Sequence, residues 1–331
     1  APPPRSSNPR VRRPLVGNPE QMMPPYYESR FIRANHPDRP QAVWLRWTLL
    51  YPQPGEPVAD VWVMVFDPDG GGNRAVKQPH PVAVADYRTE PWSARIGESA
   101  IDDVSAGATL AGASCELAIS PGPEPAVKLL TDRSYGAKFP TAKTQVRHPL
   151  ARFDGTVTLG DTTLALDGWA GSVNHNWGSR HTPAYAFGQV CGFDGAAHSS
   201  LEIVTAHAAL GPLRLPATTL FVLRHAGREY AVRSVLAARR TRGSYRPFTW
   251  TFGGRVGGVE MRGEITAQPG DVIGLRYTDT NGGTKYCYNS ALATCRVTLS
   301  GAGVAEELTA TRRAMFEILT AEPIAGVPLL A

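Results

Sequence analysis

The sequence predicts an all-β protein built as two antiparallel β-barrels side by side, with little helix. Three observations predict it. Side chains alternate with a period of two along most of the chain, the signature of half-buried strands. Glycine (33) and proline (29) together make up about a fifth of the 331 residues, against the usual ~12%. Breakers at that density exclude a helical bundle or solenoid. The rhythm then breaks near residue 150 and restarts, giving two sets of short strands separated by Gly-rich turns, as in sandwiches and barrels. The expected organisation is a flexible segment over 1–20, a first barrel over 21–150 and a second over 151–331, joined within 149–155.

Each element follows from local pattern. In 42–51, Val43, Leu45, Trp47 and Leu49 fall on one face and Trp44, Arg46, Thr48 and Leu50 on the other. In 61–67 (VWVMVFD), Val61, Val63 and Val65 oppose Trp62, Met64 and Phe66. Both runs are rich in the β-branched and aromatic residues that pack on a pleated surface. The Pro/Gly loop 52–57 between them predicts an antiparallel pair, and Asp69, Gly70, Gly71 and Gly72 mark a sharp turn. Beyond the break, 156–159 and 162–166 flank Gly160 and Asp161, a two-residue hairpin signal. Further strands are expected over 184–193, 201–207, 219–225, 229–235, 248–252, 259–266, 272–278, 284–288 and 294–299. The run 308–320 reads either as a helical turn or two or as a final strand.

Composition narrows the function. The net charge is +5, carried mostly by dispersed arginines rather than the stripe or motif that nucleic-acid binders concentrate, so no nucleic-acid partner is expected. No run of ~18 apolar residues predicts a membrane-spanning helix. The Pro/Arg/Ser-rich start carries no apolar stretch of the kind a secretion signal needs, and the cytoplasm is the expected compartment. The cysteines Cys115, Cys191, Cys287 and Cys295 form no C-x-x-C pair. Cys287 and Cys295 flank 289–293, where a hairpin would bring them side by side; free thiols are nevertheless expected in that compartment. His175 and His181, like His198 and His207, miss the usual zinc spacings, so no metal is expected. Hydrolase-elbow, phosphate-loop and dinucleotide motifs are lacking, and no cofactor is expected.

One segment concentrates chemistry. Asn174, His175, Asn176, Trp177, Arg180 and His181 crowd into eight positions. Tyr185, Phe187, Gln189, Cys191 and Phe193 then alternate with small residues, so one strand face is large and tipped with hydrogen-bonding groups. Such a face suits a cavity wall, with the Asn-Trp-Gly turn folding back over it. The plainer reading is a structural corner whose amides satisfy backbone groups.

These residues carry a resemblance. Asn174, His175, Asn176, Trp177 and Gly178, with Tyr185 and Gln189 downstream, resemble the Asn-Trp-Gly … aromatic-x-x-x-Gln signature of the lipocalin-like proteins grouped with carotenoid 1,2-hydratase and tocopherol cyclase. The run Tyr26, Tyr27, Glu28, Ser29, Arg30, Phe31 is similar to the Glu-containing strand opening their first domain, and Trp44 to Thr48 to the strand that follows. Ala75, Val76, Lys77 and Gln78 are similar to a bacterial branch of unknown function. The resemblance implies two calycin-type barrels and an apolar polyene- or prenyl-type substrate that is isomerised, cyclised or hydrated. In hydratase-like members an Asp two residues before the Asn of Asn-Trp-Gly is the candidate acid. This chain has Asn174 there, and an amide cannot protonate an alkene.

The candidate acids that remain are Glu28 and Glu202, with Asp194 just past the strand; burial would raise their pKa values, whereas pairing with Arg30 or Arg224 would make them structural. His175 is the third candidate catalytic residue. Asn174, Asn176, Trp177, Tyr185, Phe187 and Gln189 are expected to bind substrate in one pocket at the interface side or mouth of the second barrel. The alternatives are a non-catalytic carrier of the same hydrophobic ligand and a partner-binding module with a filled barrel.

Overall fold

The computed structural model describes residues 25–207, 209–210, 213–214 and 217–331; the segment 1–20 lies outside them. The first sheet contains β1 (Tyr26–Asn35), β2 (Ala42–Tyr51), β3 (Val58–Phe66), β4 (Arg74–His80), β5 (Ala85–Thr89), β6 (Trp92–Ile96), β7 (Ser99–Asp102), β8 (Ser105–Leu110), β9 (Ala113–Ser120), β10 (Val127–Lys128), β11 (Ala142–Leu159) and β12 (Thr162–Gly178). The five-residue helix α1 (Asp132–Gly136) precedes β11. The second sheet contains β13 (Ala184–Phe193), β14 (Ala196–His207), β17 (Thr218–His225), β18 (Arg228–Val232), β19 (Thr241–Arg246), β20 (Thr249–Val256), β21 (Val259–Thr266), β22 (Ile273–Thr278), β23 (Thr284–Gly301) and β24 (Val304–Thr320). The short β15 (Ala209–Leu210) and β16 (Leu213–Arg214) pair with each other.

Both sheets are antiparallel and curl on themselves. The first runs β4-β3-β2-β1-β12-β11-β9-β8-β7-β6-β5, the second β18-β17-β14-β13-β24-β23-β21-β20-β19. Ile32, Leu45, Trp47, Val63, Ile101, Leu117, Phe153 and Trp169 fill the first curl. Val190, Phe221, Trp250, Val297 and Phe316 belong to the core of the second. A third cluster lies between the sheets, where Phe31, Trp44, Trp62 and Met64 meet Ile273, Leu275, Met315 and Leu319. Hence β1–β3 are buried on both faces: one lines the first barrel and the other docks on the second sheet. On β9, by contrast, Ala113, Cys115, Leu117 and Ile119 are buried and their neighbours exposed, so that strand meets solvent on one side.

Several sequence expectations change. The 149–155 stretch lies inside β11, which pairs with β9 and β12; the chain passes between sheets after Gly178 and before Ala184. Pro149 sits where the β11–β12 register shifts between His148 and Ala151, an irregularity that tolerates a residue without an N–H. The 308–320 run is strand, as part of β24. The runs 284–288 and 294–299 are one strand, β23, so no hairpin forms at 289–293. Eight residues separate Cys287 from Cys295 along that strand, roughly 26 Å at ~3.3 Å per residue. All four cysteines are free and buried. The Gly160–Asp161 hairpin joins β11 to β12, with Gly160 at φ 58°.

Candidate active site at the mouth of the first barrel

The Asn-His-Asn-Trp-Gly run is not a turn. It is the last part of β12, hydrogen-bonded to β1 on one side and β11 on the other. Period-two geometry therefore sends its neighbours to opposite faces. His175 and Trp177 turn into the first barrel, while Asn174 and Asn176 face away from it. The absence of a side chain at Gly178 matters: a Cβ there would come 2.1 Å from the Thr141 carbonyl oxygen.

On β1 the inward phase carries Tyr26, Glu28 and Arg30 beside Ile32. Glu28 lies opposite Trp177 and Arg30 opposite His175. The Glu28 carboxylate accepts from four donors: Tyr26 Oη at 2.6 Å on Oε2, and Arg30 Nε at 3.2 Å, Arg30 Nη2 at 3.0 Å and His175 Nε2 at 2.9 Å on Oε1. The walls are aromatic. His175 stacks on Trp177 at 4.3 Å, and Trp177 is 5.8 Å from Tyr135 of α1. The Arg30 guanidinium lies 4.6 Å from the Trp92 ring and 5.1 Å from that of Tyr87. Arg147, held by Asp103, also lies over Trp92 at 4.9 Å. The Glu28 and His175 side chains keep 9% and 14% of their surface in solvent.

Electrostatics assign the protons. Burial alone would raise Glu28, but the His175 hydrogen bond, the Arg30 charge and the Tyr26 hydrogen bond hold it well below the usual carboxylate range. Glu28 is a carboxylate at neutral pH. Burial lowers His175, against the pull of Glu28, and Arg30 and Arg147 lower it further. A neutral imidazole beside an acceptor-only carboxylate must carry its proton on Nε2, which leaves the Nδ1 lone pair as a base. Around this pair, Arg30 Nη1, Trp47 Nε1, Tyr87 Oη and Trp92 Nε1 are buried donors without a partner in the protein.

The other expected site residues lie elsewhere. Asn174, Gln189 and Glu202 form a buried network on the far side of β1 and β12, where the second sheet docks. Gln189 Nε2 donates to Asn174 Oδ1 and to Glu202 Oε2, each at 2.8 Å. Gln189 Oε1 accepts from Arg33 Nε at 2.6 Å and Ser172 Oγ at 2.7 Å. Arg33 continues to Asn35 Oδ1, and Asn35 Nδ2 reaches the Ala291 carbonyl, so both sheets are tied. Burial pushes Glu202 up to about 8 despite the Gln189 hydrogen bond and the Arg33 charge. The network is closed among its own members and acts as a staple. Tyr185 occupies a third place, donating to Glu317. Phe187 packs against the inter-sheet core. Asn176 accepts from Thr144 Oγ1 at 2.7 Å. One expected pocket at the second barrel is therefore four separate places, and only Glu28, His175 and Trp177 share the barrel mouth. The sequence marks Arg30 as part of the 26–31 run and as a pairing partner, not as a site residue. Tyr87 and Trp92 sit on short strands with no motif to mark them.

Among the described residues, no group of three or more His, Cys, Asp and Glu could hold a metal ion. Nor is any helix among them long and apolar enough to cross a membrane.

No protein-family model matches the chain. Two uncharacterised proteins of Mycobacterium tuberculosis, from the CDC 1551 / Oshkosh and H37Rv strains, are each 27% identical over 262 residues, spanning 78% of this chain and 77% of theirs. Two solved structures superpose along nearly the whole chain. Kievitone hydratase from Nectria haematococca gives a TM-score of 0.57 at 10% identity, covering 90% of this chain and 89% of its own. A Nitrosomonas europaea protein assigned to AttH gives 0.55 at 10% identity, covering 90% and 92%. The chain shares their fold. At this identity the likeness is one of architecture, the lipocalin-like pair of barrels.

Proposed function

We propose that the chain is a hydratase-type enzyme that adds water to, or removes it from, an apolar small molecule at the mouth of the first barrel, with His175 as general base and Glu28 as the carboxylate that orients it. The observation that carries this reading is the buried Glu28–His175 pair with an unengaged Nδ1 beside unpartnered N–H and O–H donors. The fold shared with a hydratase supports it.

The chemistry suits an alkene conjugated to a carbonyl. His175 Nδ1 takes a proton from water as the water oxygen bonds to the β-carbon. The alkene electron pair moves onto the carbonyl oxygen, and the positive charge of the Arg30 guanidinium beside the pair favours the negative charge that develops there. The imidazolium then returns the proton to the α-carbon, and no redox partner is needed. Direct protonation of a plain polyene or prenyl alkene fits these residues less well. Glu28 is ionised, and Glu202, which holds its proton at neutral pH, is enclosed in the Gln189 network. Trp177, only partly buried, suits an apolar body on the substrate.

The test uses the full chain in D2O with the aryl enone benzylideneacetone and its hydrate. Interconversion with deuterium entering the α-carbon is expected, and His175→Gln should slow it by about 10²–10⁴ while ligand quenching of tryptophan fluorescence persists. Binding with no exchange would make the chain a carrier. Exchange indifferent to His175 would place the base elsewhere.

A further inference from the structure

The outer face of the second sheet concentrates arginine, apart from both the Glu28–His175 mouth and the Gln189 network. Across β19, β20 and β21 runs a trough of about 1000 Å³, lined by Arg240, Arg242, Arg255, Arg262 and Arg296. Strand register accounts for its shape. Arg242 on β19 and Arg262 on β21 both lie opposite Gly253, which has no side chain to fill the space between them. Their Cα atoms stand two strand spacings apart, roughly 10 Å.

Only part of this charge is balanced. Glu260 Oε1 accepts from Arg262 Nε at 2.9 Å, and Glu264 lies opposite Arg296. Thr241 pairs with Gly254, so Arg240, one residue before, and Arg255, one residue after, are neighbours across the two chains. Arg242 is the diagonal neighbour of Arg255, roughly 7–8 Å away and within reach of long side chains. Among the described residues, none of these three arginines has a carboxylate within ion-pair distance. Like charges so placed repel, and an anionic partner offsets that cost.

The 3-10 turn that leads into β19 (Ala237–Arg240) adds an apolar element. Its Ala238 is buried in the second core, which turns the remaining faces outward. Three residues per turn place Leu236 over Arg239 and Ala237 over Arg240. Val235 is 51% exposed and Leu236 69%, the most of any large apolar side chain among the described residues. An apolar tip beside guanidiniums matches a negatively charged bilayer: the tip enters the headgroup boundary while the arginines meet lipid phosphates. A small anion fits less well. The lining arginines are solvent-exposed and would leave it mostly hydrated, whereas ligand pockets bury most of their ligand's surface.

We propose that this face docks the protein on the surface of an anionic phospholipid bilayer, with Val235 and Leu236 entering it and Arg239, Arg240, Arg242 and Arg255 meeting lipid phosphates. It does not depend on the reaction assigned to the first barrel, none of whose residues it uses.

The test floats the full chain with vesicles of phosphatidylcholine alone and of phosphatidylcholine mixed with phosphatidylglycerol. Binding to the mixed vesicles only is expected, and its loss at ~1 M salt. Replacing Arg240, Arg242 and Arg255 together by glutamine should weaken it roughly a hundredfold. Leu236→Ser should weaken it about tenfold. Replacing the exposed Arg88, Arg95 and Arg276 by glutamine removes the same net charge elsewhere and should leave binding unchanged. Equal losses from the two triple variants would mean that net charge and not this face binds, and would overturn the proposal. So would equal binding to both kinds of vesicle, or none to the mixed ones. Capture of soluble polyphosphate through the same arginines without vesicle binding would replace it with an anion site.

Discussion

Replacing Glu202 by glutamine should stabilise the protein at neutral and alkaline pH and do little below pH 4. The carboxyl is fully buried against Gln189, with Arg33 near, and its folded pKa stands at about 8 against an ordinary 4.5. Folding therefore favours the protonated form. The full stability is present below the unfolded pKa of 4.5 and is lost as pH rises through 8. At 1.36 kcal/mol per pKa unit, the loss is about 3 kcal/mol at pH 7 and levels off near 5 kcal/mol above pH 8, to order of magnitude. A glutamine at 202 keeps an oxygen to accept from Gln189 Nε2 but has no proton to lose. Urea unfolding of both proteins at pH 4, 7 and 9 checks this: the variant's advantage should grow across the series. A difference independent of pH would refute the placement of Glu202 in a closed, dry network.

Glu28→Gln should destabilise the fold by about 3–5 kcal/mol in the same assay, because it leaves the Arg30 guanidinium buried without its counter-charge. Gly171→Ala should cost roughly 3 kcal/mol or more, since its Cβ would sit 1.9 Å from the Arg33 carbonyl oxygen on the β1–β12 seam; thermal unfolding measures it. Native protein should leave all four thiols unmodified by a thiol-specific reagent, and denatured protein should expose all four. Burial accounts for this, raising the Cys115 thiol to about 12. Phe153→Ala in the first core should cost about 3–5 kcal/mol.

The all-β, two-barrel architecture was legible because period two and turn chemistry act locally, as in the Gly160–Asp161 hairpin. The division between barrels was not. Pro149 reads as a boundary, yet β11 absorbs it at a register shift, a property of the pairing with β12 and not of the residues alone. Asn174 to Gly178 reads as a turn because Asn and Gly favour turns. Hydrogen bonding to strands on both sides overrides that preference. Once this run is a strand, its alternation places His175 and Trp177 in one barrel and Asn174 and Asn176 outside it. The partnership of Glu28 with Arg30 is visible two residues apart on one strand. That Tyr87 and Trp92 close over them depends on the curl of the sheet, which no local pattern encodes.

The state of the His175 ring tests the proposed base most directly. Nitrogen-15 shifts of the imidazole, recorded on the full chain between pH 6 and 8, report both charge and tautomer. The predicted result is a neutral ring protonated at Nε2 across that range, with the tautomer preference weakened in Glu28→Gln. An imidazolium at pH 7, or a neutral ring protonated at Nδ1, would contradict the assignment of His175 as the general base.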